Sequence, residues 1–140
     1  MLDTNVISEA MRPAPDPRVQ AWFARQNPEA LHLAVPVVAE LAEGIERLPR
    51  GRRRAALERW LNDLIDTDFA GRILPFEVAD ALLYGRLVAT ARAEGQTPKG
   101  SDAQIAAIAR RHGMGVATRD VNHFAAFGIE IVDPWRAGAP

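Results

Sequence analysis

Residues 101–120 read Ser101-Asp102-Ala103-Gln104-Ile105-Ala106-Ala107-Ile108-Ala109-Arg110-Arg111-His112-Gly113-Met114-Gly115-Val116-Ala117-Thr118-Arg119-Asp120, and two periodicities meet within them. Ile105, Ile108 and Ala109 recur at the spacing of one helical face, with Ser101 placed as N-cap and His112-Gly113 as the helix end. After the glycine turn, Gly115-Val116-Ala117-Thr118 is short and apolar and reads as a buried strand. A helix that turns through glycine into an apolar strand is the repeating unit of an α/β domain. The same stretch carries two acids. Asp102 shares its helical face with Ile105, Ala106 and Ala109, so its carboxylate points at the sheet rather than at solvent. Asp120 lies just past the strand's C-terminal end.

Outward from this unit the alternation repeats. Further strands are predicted at Met1-Leu2 and over 31–34, 72–74 and 130–132. Further helices are predicted from Pro17, capped by Asp16, through Trp22 and Phe23 to Gln26; from Pro36 through Val37, Leu41, Ile45 and Leu48; over 52–65; and over 77–93, where Ala81, Leu82, Val88 and Ala89 supply the apolar positions. The pattern predicts one α/β domain over residues 1–140, with a mostly parallel sheet and helices on both faces. The first strand is only two or three residues long, so the natural start is expected upstream of Met1.

Composition narrows the function classes. With 140 residues, 48% hydrophobic and 25% charged, the chain matches a folded globular domain rather than a disordered or fibrous one. No apolar run approaches the roughly 20 residues of a membrane span, and the N-terminus has no signal-peptide pattern, so a cytoplasmic location is expected. The absence of cysteine excludes disulfides, thiolate catalysis and zinc–thiolate sites. Net charge is −1, but of 17 basic residues only Lys99 is lysine. That bias suits phosphate, which the planar guanidinium fork grips better than an ammonium does. It equally reflects a GC-rich coding sequence.

The acids carry the functional argument. Asp3 follows the first strand and Asp120 the fourth, while Asp102 sits in the first turn of one helix and Glu40 about one turn into another. Helices in such folds run antiparallel to their strands, so all four acids are predicted at the carboxyl edge, where open α/β sheets bind ligands. Each has a plainer reading alone. Asp102 can complement the helix dipole, Asp3 and Asp120 can cap helices, and Glu40 can be a surface acid. Together, four half-buried carboxylates raise one another's pKa unless a cation neutralises them. Hard divalent ions with oxygen ligands do this, and Mg²⁺ or Mn²⁺ held so is suited to phosphodiester chemistry. His32, His112 and His123 are scattered and support no zinc pair.

These residues resemble those of a known family. Leu2-Asp3-Thr4-Asn5-Val6-Ile7-Ser8-Glu9 resembles the opening motif of PIN-domain ribonucleases of the VapC/FitB toxin type. The likeness continues through Val38-Ala39-Glu40-Leu41 with Gly44-Ile45, through residues 102–107 and 118–124, and through Val132-Asp133-Pro134-Trp135. The resemblance implies a PIN-like, Rossmann-like three-layer α/β/α sandwich with about five short strands. It also implies an endoribonuclease dependent on Mg²⁺ or Mn²⁺, acting as the toxin of a toxin–antitoxin pair. A homodimer, an RNA substrate and an antitoxin partner with a DNA-binding domain come with it. Carried over, Asp3, Glu40, Asp102 and Asp120 match the family's acidic quartet and Thr118 its hydroxyl residue. Asn5 is expected to orient Asp3. Relatives that carry Asn at the Asp120 position place an acid three residues later; here that residue is His123, so the fourth charge is assigned to Asp120. Glu43 is a further candidate, with an i,i+4 pair to Arg47 as its plainer reading.

For RNA, the basic cluster Arg50, Arg52, Arg53 and Arg54 is the most visible surface, since cations at a helix start oppose its dipole. Arg110 and Arg111, at a helix end, read as structural. Two other classes place acids or surfaces comparably. A phosphotransfer domain needs a lysine at a late strand end or a second Asp where Asn5 stands, and fits poorly. A catalytically silent PIN-like binding module would bind RNA or protein without cutting.

Overall fold

The computed structural model describes residues 1–137. Two parallel ribbons form its strand framework: β1 (Leu33–Ala34) pairs with β2 (Ile73–Leu74), and β3 (Val116–Ala117) with β4 (Ile131–Val132). Residues 1–3 lie between the ribbons and stitch them together. The Leu2 N–H donates to His32 O at 2.9 Å on one side. On the other side Leu2 forms a parallel bridge with Ala117, with Ala117 N–H donating to Met1 O at 2.8 Å and Asp3 N–H to Ala117 O at 3.0 Å. The spatial order is β2, β1, residues 1–3, β3, β4, and every assigned pairing among them is parallel. Burial follows that order: Leu2, Leu33, Ala34 and Val116 are fully buried, while the outer pairs Ile73-Leu74 and Ile131-Val132 are half-buried. Chain order reverses between residues 1–3 and β3, the switch point at which α/β sheets open a crevice.

The helices are α1 (Thr4–Ala10), α2 (Pro17–Ala24), α3 (Val35–Glu46), α4 (Arg52–Asp63), α5 (Val78–Ala93), α6 (Gly100–Arg111) and α7 (Val121–Ala125). Strand ends feed directly into helix starts: Asp3 is the N-cap of α1, Ala34 of α3, and Asp120 stands at the N-cap of α7. α6 is buried from Ala103 through Ala109 apart from half-buried Gln104, its Ile105 and Ile108 wholly inaccessible, which makes it the central helix. α5 packs along it. The junction is locked by Asp80, inaccessible to solvent, whose carboxylate accepts from Arg111 Nε at 2.6 Å and from the Glu77 N–H at 2.8 Å. Gly113, at φ 66°, reverses the chain after α6 in a conformation that glycine adopts without strain. No helix among the described residues is long and apolar enough to cross a membrane.

The α/β architecture is the one expected, with local corrections. Ser101 is not a cap: α6 already begins at Gly100, Lys99 occupies the N-cap position, and no side chain caps it. The first predicted strand reduces to the Leu2 bridge. The helix expected over 52–65 ends at Asp63 and widens into a π-turn, Leu64–Asp68. In α5, Leu82 is 64% exposed and Val78 80% exposed, because Leu87, Val88 and Ala91 make the buried contact and Asp80 turns its own face inward. α1, α7 and a 3₁₀ turn at Pro28–Ala30 were not predicted.

Candidate active site

Asp3, Glu40, Asp102 and Asp120 line one cavity of about 490 Å³ at the carboxyl edge of the strands. Asp3 and Asp102 are buried, Glu40 half-buried and Asp120 exposed. The cavity mouth is completed by Thr4, Asn5, Ser8, Glu43, Arg47 and Lys99. Among the described residues, no three acid or histidine side chains are already gathered closely enough to hold one metal ion. The carboxylates ring a space rather than form a finished cage.

Asp3 is fixed from three directions. Its Oδ1 accepts the Thr4 N–H at 2.8 Å, the N-cap bond of α1. Its Oδ2 accepts the Thr118 hydroxyl at 2.7 Å and the Asn5 side-chain amide at 2.8 Å. Asn5 Nδ2 also reaches Thr118 Oγ1 at 3.2 Å and Asp120 Oδ2 at 3.3 Å. Asn5 therefore touches both acids at the switch point. Glu40 is held by the Thr4 hydroxyl, which donates to its Oε2. Thr4 thus serves two acids, through its backbone and its side chain.

Asp102 differs from the others. Its Oδ2 is buried and has no hydrogen-bond partner. His123 Nδ1 stands 3.5 Å from it, too long for a useful hydrogen bond. An ionised, desolvated, unpaired carboxylate oxygen is costly, which makes this atom the one most in need of a cation.

The electrostatics agree with the geometry. Burial pushes the Asp3 carboxyl up to about 6, opposed by the Thr118 and Thr4 hydrogen bonds and reinforced by the charges of Asp102 and Glu40. Burial also raises Asp102; the positive charges of Lys99 and His123 work against this, and Glu40 and Asp120 add to it. Acids driven toward protonation by burial and by each other are a donor set that a divalent ion would restore to the ionised form.

Other expected site residues divide. Glu43 lines the cavity but pairs with Arg47 along α3, as in its plainer reading. Of the basic cluster, Arg54 is tied to Glu46 and Glu58 and to the Glu46 carbonyl, leaving it 18% exposed in the side chain. Its fork is occupied in joining the α3–α4 turn. Arg50 lines a separate shallow surface recess with Arg54. Arg53 lines a cavity that also contains Thr4, Ser8 and Glu40, so of the four it approaches the acids. Arg50 and Arg52 are exposed. Arg111 is structural, as expected.

Sequence reading missed Thr4 and Lys99. Lys99 looked like a loop residue, yet it stands at the start of α6 and its charge acts on Asp102. Its signal was available: the only lysine among 17 basic residues lies three positions before an inward-facing acid.

Parallel strand pairs whose chain order reverses beside a cavity lined by four acids define an α/β domain with an acidic crevice. The chain matches the PIN domain family over residues 1–129, and it belongs to that family. It is 42% identical over 135 residues to VapC ribonuclease Y4jK of Sinorhizobium fredii, covering 96% of each chain. It is 40% identical over 135 residues to toxin FitB of Neisseria gonorrhoeae, covering 96% of this chain and 97% of FitB. Its backbone superposes on the structure of FitAB bound to the IR36 DNA fragment with a TM-score of 0.90, at 39% identity, covering 96% of this chain and 94% of that one.

Proposed function

We propose that this chain is an endoribonuclease dependent on Mg²⁺ or Mn²⁺ that acts as the toxin of a type II toxin–antitoxin pair in the cytoplasm. The observation that carries the reading is the orphaned, buried Oδ2 of Asp102, a residue that lines one cavity with Asp3, Glu40 and Asp120. That donor set is all oxygen and negatively charged, which suits a hard divalent ion. Family membership and the ribonuclease and toxin names of the two relatives support the substrate class.

Asp3, Asp102 and Asp120 would hold the metal, and Glu40 would either join them through water or orient the attacking water. A divalent ion supplies Lewis acidity to the phosphodiester and an activated water. The chain's own residues do the positioning. Thr118 and Asn5 hold the Asp3 carboxylate in one orientation, and Thr4 holds Glu40. Lys99, on the cavity wall, offers an ammonium to a phosphate oxygen and keeps Asp102 from rising further. An antitoxin partner with a DNA-binding domain and self-association as a homodimer belong to the same reading. The FitAB complex on DNA supports the first of these.

The test is cleavage of a mixed RNA pool with Mn²⁺ and with EDTA, by wild type and Asp3→Asn. Cutting that needs Mn²⁺ and is lost in the variant is expected. RNA bound but not cut by wild type in Mn²⁺ would replace this reading with that of a silent binding module.

A further inference from the structure

A second cavity, of about 480 Å³, adjoins the acid-lined one and shares Asp120 as a wall. Its lining comes from the turn after β3, from α7 and from the chain after β4: Arg119, Asn122, His123, Ile131, Asp133 and Arg136.

The cavity is built rather than incidental. The Arg119 guanidinium carbon stands 5.3 Å from the centroid of the Trp135 ring, a cation–π contact that orients a long side chain in advance of any ligand. Trp135 is itself buried, and its backbone N–H donates to Asp133 Oδ1 at 2.9 Å. The other oxygen of Asp133 faces Arg136 Nε at 3.5 Å. The Asp133-Pro134-Trp135 segment thus carries the ring on which Arg119 rests and the carboxylate beside Arg136.

The chemistry matches a nucleotide. Two guanidinium forks suit phosphate oxygens, the Asn122 amide and His123 imidazole offer donors and acceptors to a base edge, and Ile131 gives an apolar wall. Val121 beside it is 37% exposed, an apolar surface at the rim on which a ring can rest.

We infer that this cavity is the subsite for the RNA nucleotide adjoining the scissile phosphate, with Arg119 on a phosphate and Asn122 on the base edge. The inference rests on the nuclease reading above and adds the positioning of the substrate. A segment of a protein partner is the rival occupant; the paired forks beside a polar base-sized recess favour RNA.

The experiment compares wild type, Arg119→Ala, Arg119→Lys and Asn122→Ala in Mn²⁺ on two substrates. One is an RNA that wild type cleaves; the other is bis(p-nitrophenyl) phosphate, which has neither a second phosphate for Arg119 nor a base edge for Asn122. The ratio of kcat/KM on RNA to kcat/KM on the small diester should fall about tenfold in both alanine variants, mainly through KM, the size expected for one lost nucleic-acid contact. Arg119→Lys, keeping charge but not the fork, should fall between. An unchanged ratio overturns the inference while leaving the nuclease intact. An unchanged ratio with weakened capture of the antitoxin assigns the cavity to the protein partner and overturns it equally. Wild type that cuts no RNA of a mixed pool in Mn²⁺ supplies no such substrate and overturns the nuclease reading, and this inference with it.

Discussion

Thr118 Oγ1 donates a 2.7 Å hydrogen bond to Asp3 Oδ2, joining residues 115 positions apart in the chain. The same oxygen accepts the Asp120 N–H at 3.0 Å and the Asn5 amide at 3.2 Å. A hydroxyl has one donor and two acceptor sites, and here all three are used. Thr118 is wholly buried, so this junction of two neighbouring strand ends is shielded from water.

Thr118→Val keeps the shape and removes that junction. The Asp120 N–H and the Asn5 amide each lose a partner, costing about 1–3 kcal/mol of stability. Asp3 loses the hydrogen bond that restrains its carboxyl, which should move above its present value of about 6. The acid limb of the cleavage pH profile should therefore shift to higher pH, with activity lost more at pH 6 than at pH 8. Urea unfolding and a pH–rate profile check both parts, and an unmoved acid limb would count against the role given to the hydroxyl.

Asp3 makes a stability prediction whose sign is unusual for an acid. Its folded pKa is raised from 3.8 to about 6, so its ionised form is disfavoured by folding. The cost is fully present above about pH 6 and is lost as pH falls through that value toward 3.8. Without metal, wild type should gain about 2–3 kcal/mol of stability relative to Asp3→Asn as pH falls from 7.5 to about 4. Thermal melts in EDTA across that range measure it. A stability difference that stays constant across that range would show that the carboxylate is not strained in the apo protein.

Arg111 and Asp80 make the opposite case. Burial pushes Asp80 up, but Arg111 and the Glu77 N–H outweigh it and hold its carboxyl below the usual range. Arg111→Ala leaves that carboxylate buried and unpaired, and should cost about 3–5 kcal/mol. Adding Asp80→Asn should recover part of the loss, because the stranded charge is gone. Equal losses in the single and double variants, by chemical denaturation, would contradict this.

The arginines at the start of α4 should separate by function. Arg53, beside the cavity that contains Glu40, is expected to meet RNA; Arg54 is held by Glu46 and Glu58. Arg53→Ala should lower the salt slope of RNA binding by about 1 with little effect on stability. Arg54→Ala should lower the melting temperature and leave the slope as it was. Fluorescence anisotropy at several salt concentrations distinguishes them, and identical slopes in Arg53→Ala and wild type would remove Arg53 from the RNA surface.

Much of this was legible because the signals were local. Ile105, Ile108 and the residues after Gly113 carry helix and strand periodicities within twenty residues, and Asp102 lies on the apolar face. Other features depended on partners distant in sequence. α1 begins with polar Thr4 and Asn5 because the Asp3 side chain caps it and the strand-end acids need those side chains, so its start shows no apolar rhythm. α7 spans five residues, too few for any period to register. Leu82 follows the spacing of α5 yet faces solvent, since the helix is fastened at that end by buried Asp80 and Arg111 rather than by apolar contact. Arg54 looked like its neighbours until Glu46 and Glu58 closed on it.

The central claim is that the acid-ringed cavity is a divalent-cation site centred on Asp102. Calorimetric titration of Mn²⁺ into wild type and Asp102→Asn tests it without any substrate. Saturable binding by wild type, with proton release as the raised carboxyls ionise and with affinity lost by tenfold or more in the variant, is the result expected. Indistinguishable heats from the two proteins would contradict the claim.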